Sequence, residues 1–194
     1  MSDIVCVTNR LLCEGDFLSK IREIAAAKPH SIILREKDLS AEEYAELARK
    51  VLDICREFDV PCTLHSFPET AIQLGADRIH LPLQRLCELG KNRRRFSVVG
   101  ASVHSLEEAR QAKQLGADYL TAGHIFPTDC KKGLAARGLP FLAEIVKNVS
   151  IPVYAIGGID SSNIADIRKT DAAGACIMSG FMKCENAKEF LRSF

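Results

Sequence analysis

The sequence contains no tryptophan, and aromatic residues make up only 6% of its 194 residues. Proteins that bind single-stranded nucleic acid by stacking need aromatic platforms for the bases, so this class is not expected. An excess of charge of one sign is also missing, because 26 basic and 25 acidic side chains leave a formal net charge of +1. Neutralising phosphates takes a basic excess, and we therefore expect no nucleic-acid partner.

Long hydrophobic runs are absent as well, although 47% of the residues are hydrophobic. The apolar runs are far too short to span a bilayer, and the segment Met1–Val5 lacks the charged start and apolar stretch of an export signal. These absences predict a cytoplasmic protein with no membrane partner. The composition leaves the oligomeric state open, and a homo-oligomer stays an option.

The eight cysteines include no C-x-x-C pair. In a reducing compartment we expect thiols rather than disulfides, and the missing ligand spacing argues against a metal site. Cys6, Cys62 and Cys176 lie inside apolar runs, where they are expected to be small buried hydrophobes.

Eight short apolar runs alternate with longer amphipathic segments along the chain. Because most of the runs do not alternate with polar residues, they fit strands that are buried on both faces, as in a parallel sheet. The predicted strands are Ile4–Thr8, Ser31–Arg35, Cys62–Leu64, Arg78–Leu81, Ser97–Ser102, Tyr119–Ala122, Val153–Ile156 and Ala175–Met178.

Helices are expected between the strands. Capping boxes at Ser40–Glu43 and Ser105–Glu108 predict helices that end near Phe58 and Leu115. Gln73–Asp77 recurs as Gln114–Asp118, and each copy joins a helix to a strand through a glycine. Further helices are expected at 17–28, 69–74, 84–90, 138–147, 162–169 and 186–193.

Eight such units predict a single-domain α/β fold over residues 1–194, a closed (β/α)8 TIM barrel. The alternative is an open doubly wound sheet, which usually carries a glycine-rich phosphate loop after its first strand. Here the first strand leads into Thr8–Leu11, which contains no glycine. The sequence therefore favours the barrel.

In a barrel the active site lies at the carboxyl ends of the strands. Four of the five histidines follow that rule, and only His30 is expected at the opposite rim. Gly157-Gly158 and Ser179-Gly180 follow the last two strands, where barrels commonly bind phosphate through backbone N–H groups. The alternative for both pairs is a tight turn.

The loop from Gly123 to Gly138, after the sixth strand, is the longest, and a loop of this length is usually functional. It suits a lid, with His124 at its root as a group that can take and return a proton near pH 7. A purely structural histidine is an equal alternative at this point. The lysine pair Lys131-Lys132 alone indicates only a solvated turn.

Two further strand-end residues are candidates for binding the substrate. Arg35 suits a carboxylate or phosphate, although a salt bridge with Glu36 or another neighbour is an equal alternative. Ser102 is a candidate hydrogen-bond donor. No serine–histidine–aspartate pattern, no H-E-x-x-H and no P-loop is present. No pair of acidic residues stands at the strand ends to hold Mg²⁺.

Several segments, taken in order over nearly the whole chain, resemble the thiamine phosphate synthase/TenI superfamily. The resemblance implies a (β/α)8 barrel and a role in thiamine metabolism with a thiazole phosphate as the small-molecule partner. The segments are Leu34–Lys37, Gly75–Leu81, Gly100–Ser105, the Gly123–Gly138 loop, Pro152–Ile159 and Met178–Gly180.

Two branches share this scaffold. The synthases join a pyrimidine pyrophosphate to a thiazole phosphate with Mg²⁺, whereas TenI-type tautomerases aromatise a carboxythiazole phosphate without metal. This chain has His65–Phe67 where synthases have Asn-Asp-Arg, Arg85 where they have a second Asp, and Ile33 where they have Gln. Both metal carboxylates are therefore missing.

The loop after the sixth strand also differs from the synthase pattern. It has His124 in place of a proline and Cys130 in place of a threonine, while Thr128 and Lys131 remain. Arg35 and Lys37 are compatible with both branches. The resemblance thus implies substrate contacts from Arg35, Lys37, Ser102, Thr128 and Lys131, with phosphate on Gly157, Gly158, Ser179 and Gly180.

From these differences we expect a thiazole tautomerase, an isomerase that needs no cofactor. His124 would remove a proton from the thiazoline ring and deliver one to the exocyclic carbon, an acid–base role the resemblance implies. The first alternative is a Mg²⁺-dependent thiamine phosphate synthase. The second is a non-catalytic regulator that binds a thiazole phosphate, and a phosphosugar isomerase is weaker because no carboxylate or cysteine base is evident at the mouth.

Overall fold

The computed structural model describes residues 3–131 and 133–194, with the side chain of Lys131 outside the description. Eight parallel strands close into a barrel in which each strand pairs with the next and the last pairs with the first. The strands are β1 Asp3–Val7, β2 Ser31–Leu34, β3 Cys62–His65, β4 Arg78–Pro82, β5 Val98–Val103, β6 Tyr119–Gly123, β7 Val153–Ile156 and β8 Gly174–Ile177.

The closed barrel confirms the predicted (β/α)8 fold. Each observed strand agrees with its predicted run to within one residue at either end. The reason is that these short runs are mostly apolar and most of their residues are buried, between the barrel axis and the surrounding helices.

Helices cover the outside of the barrel. They are α1 Phe17–Ala27, α2 Ala41–Glu57, α3 Pro68–Gln73, α4 Leu83–Leu89, α5 Leu106–Gln114, α6 Gly138–Asn148, α7 Ile164–Arg168, α8 Ser179–Lys183 and α9 Ala187–Arg192. Short 3-10 turns occur at Arg10–Leu12, Gly90–Arg95 and Asp129–Lys131.

Local signals in the sequence explain where several helices begin and end. Ser40 forms the predicted capping box with Glu43 at the start of α2. Gly75 and Gly116 adopt φ values of 66° and 88° after α3 and α5, the left-handed geometry that lets the chain turn into the next strand. Ser105 caps α5, but the Glu108 carboxylate accepts from the His104 amide instead of returning to Ser105.

Two apolar clusters hold the fold together. The larger lies between the strands and the helices, while a small one fills the barrel with Val5, Val7, Ile33, Tyr154 and Cys176. All eight cysteines lie in the described residues and are free thiols, and the predicted burial of the three strand cysteines is confirmed. Within the described residues, no helix is long and apolar enough to cross a membrane.

Candidate active site

The carboxyl ends of the strands surround a cavity of about 520 Å³, a size typical of small-molecule sites. We call this cavity the mouth. Most of the predicted site residues line it, together with groups that were not singled out, among them Thr121 and Phe190. The predicted residues in its wall are Arg35, Lys37, Ser102, His124, Thr128, Gly157, Gly158, Ser179 and Gly180.

One predicted contact cannot be placed. The side chain of Lys131 and all of Lys132 lie outside the described residues. Four histidines line the mouth, as the strand-end rule predicts, whereas His30 lies away from it and approaches Asp3 at 3.4 Å and the Tyr154 hydroxyl at 3.3 Å.

His65 and His80 form a buried pair on the floor of the mouth. They occupy matching positions on β3 and β4, and their rings stack with centroids 5.4 Å apart. Burial, with the nearby Lys37 ammonium as a smaller cause, lowers the pKa of His80 to about 3. Burial also lowers the pKa of His65 well below its usual value, and the neighbouring charges act in the same direction. Both imidazoles are therefore neutral near pH 7.

Hydrogen bonds fix the rings of both histidines. His65 Nδ1 lies 2.6 Å from the Ser66 hydroxyl, and His80 Nε2 lies 2.8 Å from the Ser102 hydroxyl. Ser66 adopts a φ of 69°, a strained value for a residue other than glycine. The strand end thus directs the serine hydroxyl back onto the imidazole that precedes it.

The end of β2 brings two cations to the mouth. Arg35 and Lys37 line it, while the side chain between them, Glu36, is 1% exposed and faces away. Glu36 accepts hydrogen bonds from the Thr8 hydroxyl at 2.6 Å and the Arg10 amide at 2.9 Å. The alternative of an Arg35–Glu36 salt bridge is therefore wrong, because the buried Glu36 carboxylate is bound by Thr8 and Arg10 while Arg35 lines the mouth.

The glycines after β7 make room for the loop between Gly123 and Gly138, which we call the lid loop. A Cβ on Gly157 would lie 2.4 Å from the Cβ of His124, and one on Gly158 would lie 2.4 Å from the Pro127 carbonyl oxygen. Both have positive φ values, 100° and 67°. No described residue accepts a hydrogen bond from either glycine amide, so both N–H groups stay available to an anion.

Ser179-Gly180 after β8 begins helix α8 instead of forming the tight turn that was the alternative. The sequence did not reveal this helix, because a Ser-Gly pair is more typical of turns. A Cβ on Gly180 would lie 2.4 Å from the Phe190 ring, so this glycine admits the aromatic side chain that borders the mouth.

His124 lies where β6 passes into the lid loop. The side chain is 7% exposed, and its Nε2 is 3.3 Å from the Leu134 carbonyl oxygen of the same loop. The amides of Ile125 and Phe126 donate to the carbonyls of Ile156 and Gly157. The loop is therefore tied to the end of β7 and covers one side of the mouth.

The described wall of the mouth contains a single carboxylate, Asp160, which accepts hydrogen bonds from the amide and hydroxyl of Ser162. No group of three histidine, cysteine or acidic side chains among the described residues has the geometry to hold a metal ion. Since Mg²⁺ prefers carboxylate oxygens, these residues do not fit a protein-held magnesium ion.

The mouth lies at the carboxyl ends of the strands, with two cations beyond β2 and unpaired backbone amides after β7. These features are typical of a barrel protein that binds small anionic molecules. The chain belongs to the thiamine monophosphate synthase family, whose sequence profile matches residues 4–181.

Several relatives extend this result over nearly the full chain. The thiamine-phosphate synthase of Desulfitobacterium hafniense strain Y51 is 38% identical over 185 residues, which cover 93% of this chain and 89% of that protein. The synthase of Pyrococcus furiosus is 34% identical over 173 residues, 89% of this chain and 84% of the relative. The solved thiamine phosphate pyrophosphorylase of Pyrococcus furiosus superimposes with a TM-score of 0.84 at 31% identity, covering 98% and 92% of the two chains.

These relatives confirm the superfamily but overturn the expectation of a thiazole tautomerase, and with it that of an isomerase. The curated relatives described above are named thiamine-phosphate synthase, not tautomerase, and others down to 30% identity carry the same name. The expectation rested on replacements at a few positions, chiefly Ser66, Arg85 and His124. Of these three positions only His124 lines the mouth, and the similarity of the whole chain points to the synthases.

Proposed function

We propose that this protein catalyses the thiamine-phosphate synthase reaction, in which a pyrimidine pyrophosphate is joined to a thiazole phosphate. The bond from the thiazole to the pyrimidine-bearing carbon forms as the carbon–oxygen bond to pyrophosphate breaks, and the pyrophosphate leaves with the electron pair. Relatives named for this activity at up to 38% identity over most of the chain support the proposal.

The observation that carries the proposal is the presence of two different anion-binding features in one mouth. Arg35 and Lys37 extend from the end of β2, while Gly157 and Gly158 present unpaired amides after β7. The reaction needs two phosphorylated substrates at once, and a single cavity of about 520 Å³ with two anion subsites suits that requirement.

Each subsite has a separate task in this proposal. The cations at Arg35 and Lys37 stabilise the negative charge that grows on the leaving pyrophosphate. The glycine amides and the short helix after β8 hold the phosphate of the thiazole, and this anchor orients the attacking ring. Ser102 and the neutral histidine pair supply uncharged hydrogen-bonding groups between the two subsites.

The lid loop has a protective task. A carbon that bears a pyrophosphate also reacts with water, so the loop that carries His124 and Thr128 must limit solvent access. His124 is a substrate contact in this scheme. The acid–base role expected for His124 depended on the tautomerase reaction, so it is no longer assigned to this residue.

The resemblance associates the synthase reaction with Mg²⁺, and the described residues do not fit that ion. Asp160 is the single carboxylate in the described wall, and Ser162 already bonds to it. We therefore assign the neutralisation of phosphate charge to this chain's own Arg35 and Lys37 and derive no step through a protein-held ion.

The experiment is a pyrophosphate-release assay on the purified protein. Each precursor is supplied alone and then both together, first with Mg²⁺ and then with EDTA. Release that requires both precursors supports the proposal. Release from the pyrimidine pyrophosphate alone indicates a hydrolase instead and contradicts it.

A second candidate is a protein that binds a thiazole phosphate without converting it. The described wall of the mouth has a single carboxylate, which favours this candidate. With so few metal ligands, the protein offers no bound cation to neutralise the charge of a departing pyrophosphate. Calorimetric binding of the thiazole phosphate, combined with no pyrophosphate release in any arm, would select it over the synthase.

A further inference from the structure

Three neighbouring strands place His80, Gly100 and Tyr119 side by side inside the barrel. His80 on β4 is the register partner of Gly100 on β5, and Gly100 is in turn the partner of Tyr119 on β6. A Cβ on Gly100 would lie 2.2 Å from Cζ of Tyr119 and 2.4 Å from Nδ1 of His80. The missing side chain therefore leaves the space in which the two flanking side chains meet.

They meet through a hydrogen bond. The Tyr119 hydroxyl lies 3.0 Å from Nδ1 of His80, below the mouth. The other ring nitrogen, Nε2, lies 2.8 Å from the Ser102 hydroxyl, which lines the mouth. The imidazole of His80 thus connects the phenol of the half-buried Tyr119 to a serine that can touch a ligand.

The order of the protons in this chain of hydrogen bonds depends on which way the Tyr119 phenol donates. Burial raises the pKa of Tyr119, so the phenol keeps its proton. A neutral imidazole has one N–H donor and one acceptor nitrogen. If the phenol donates to Nδ1, the imidazole proton is on Nε2 and is donated to Ser102.

Ser102 receives a second hydrogen bond. The Thr121 hydroxyl oxygen, on the neighbouring strand β6, lies 3.3 Å from the Ser102 oxygen and also 3.3 Å from Nε2 of His80. A protonated Nε2 cannot accept a hydrogen bond, so with this tautomer Thr121 donates to Ser102. A hydroxyl oxygen has two lone pairs, and these two donors use both of them. The proton of Ser102 must then point elsewhere, and the open direction is the mouth.

We infer that Tyr119 is a positioning residue that holds His80 in its Nε2–H form, so that Ser102 presents a donor to the ligand. The group that Ser102 recognises is then a hydrogen-bond acceptor, such as a heterocyclic ring nitrogen or a phosphate oxygen. With the opposite tautomer, Nε2 would accept the Ser102 proton, and the mouth would present an acceptor at the same point. The inference rests on the proposed function only in requiring a ligand in the mouth.

The direct test is the protonation pattern of the His80 ring in the ligand-free protein, read from long-range ¹H–¹⁵N correlation NMR. The wild-type protein is expected to carry its proton on Nε2, with Nδ1 as an acceptor. Tyr119→Phe removes the donor and is expected to shift the pattern towards Nδ1–H or a mixture. A proton on Nδ1 in the wild-type protein, or an unchanged pattern in Tyr119→Phe, would overturn the inference.

Tyr154→Phe is the matched control. Tyr154 is buried inside the barrel, and its ring packs edge-on against Tyr119 at 5.7 Å. Its hydroxyl bonds to His30, which is not part of the mouth. This variant also removes one buried hydroxyl but should leave the His80 pattern unchanged, which separates a specific effect from general loosening of the barrel.

A kinetic readout complements the spectrum. Tyr119→Phe is expected to raise the KM of one precursor about tenfold, the equivalent of one neutral hydrogen bond, with a smaller change in kcat, while Tyr154→Phe stays near wild type. Equal kinetic effects in the two variants would contradict the inference. If the protein binds without turnover, the Kd of the thiazole phosphate is compared between each variant and the wild type instead of the KM. Failure of the proposed function therefore stays distinct from failure of the inference.

Discussion

The Thr8 hydroxyl donates a hydrogen bond of 2.6 Å to the Glu36 carboxylate, and both side chains are buried between the ends of β1 and β2. The same hydroxyl accepts from the Arg35 amide at 2.9 Å. The other oxygen of Glu36 accepts from the Arg10 amide. These bonds fix the strand end that carries Arg35 and Lys37, so a buried carboxylate outside the mouth determines where the two cations lie.

Replacing that carboxylate should therefore destabilise the protein. The Thr8 hydroxyl and the Arg10 amide both donate to Glu36. In Glu36→Gln the side-chain NH₂ faces one of these donors and cannot accept its hydrogen bond, so we expect a loss of about 1–3 kcal/mol in the free energy of unfolding. Urea titration measures this loss. The control is Glu57→Gln on α2, which removes an exposed pair with Arg22 and should cost well under 1 kcal/mol. Equal losses in both variants would contradict the role given to Glu36.

The buried histidine pair predicts a specific acid sensitivity. The unfolded chain binds a proton at each histidine near pH 6.5, whereas burial lowers the folded pKa of His80 to about 3. Between those values the unfolded state holds more protons, so stability falls as pH falls. The slope is about 1.4 kcal/mol per pH unit for each histidine that stays neutral.

Unfolding free energies measured at pH 7 and pH 5 test this sensitivity. His80→Asn should have a smaller loss between the two pH values than the wild-type protein, whatever its stability at pH 7. Arg56→Gln changes an exposed side chain on α2, leaves every histidine in place and should keep the wild-type loss. The explanation fails if the loss in His80→Asn is as steep as in the wild type.

The cation at Arg35 should control the binding of anionic substrates. A charge-assisted hydrogen bond contributes about 1.5–3 kcal/mol, so Arg35→Gln should weaken binding of the pyrimidine pyrophosphate by about 10- to 100-fold. Calorimetry on the purified protein gives the two dissociation constants. Arg56→Gln removes an exposed arginine on α2 and should leave the affinity unchanged. An unchanged affinity in Arg35→Gln would remove this residue from the site.

Gly157 should tolerate no side chain, for two separable reasons. Its φ is 100°, and an added Cβ would approach the Cβ of His124 to 2.4 Å. Gly15 has a similar φ of 88° but open space around an added Cβ. Gly15→Ala therefore measures backbone strain, about 1 kcal/mol, and Gly157→Ala should lose about 1–3 kcal/mol more. Thermal unfolding of both variants checks this, and equal losses would show that the contact with His124 is unimportant.

Much of the fold could be predicted from the sequence because the strands are short, mostly apolar runs between amphipathic segments. Glycines such as Gly75 mark the joints between helix and strand, and they adopt the left-handed geometry expected there. Helix α8 could not be predicted, since its five residues begin with Ser179-Gly180 and its apolar side is set by Phe190 on another helix.

The site was predictable in part, for a similar reason. The strand-end rule identified Arg35, Ser102 and the mouth histidines, because it depends only on chain order. It missed Tyr119, which lies at the start of β6, far along the strand from the mouth, and acts through another residue. The only signal in the sequence was Gly100 inside an apolar strand, and its meaning depends on the register of three strands.

The most direct test of the proposed function is mass spectrometry of the product from an isotope-labelled thiazole phosphate and an unlabelled pyrimidine pyrophosphate. The account predicts a labelled product whose mass equals that of both precursors minus pyrophosphate, with one pyrophosphate released for each product molecule. Recovery of the labelled thiazole phosphate unchanged, from protein that calorimetry shows to be saturated with both precursors, would contradict it.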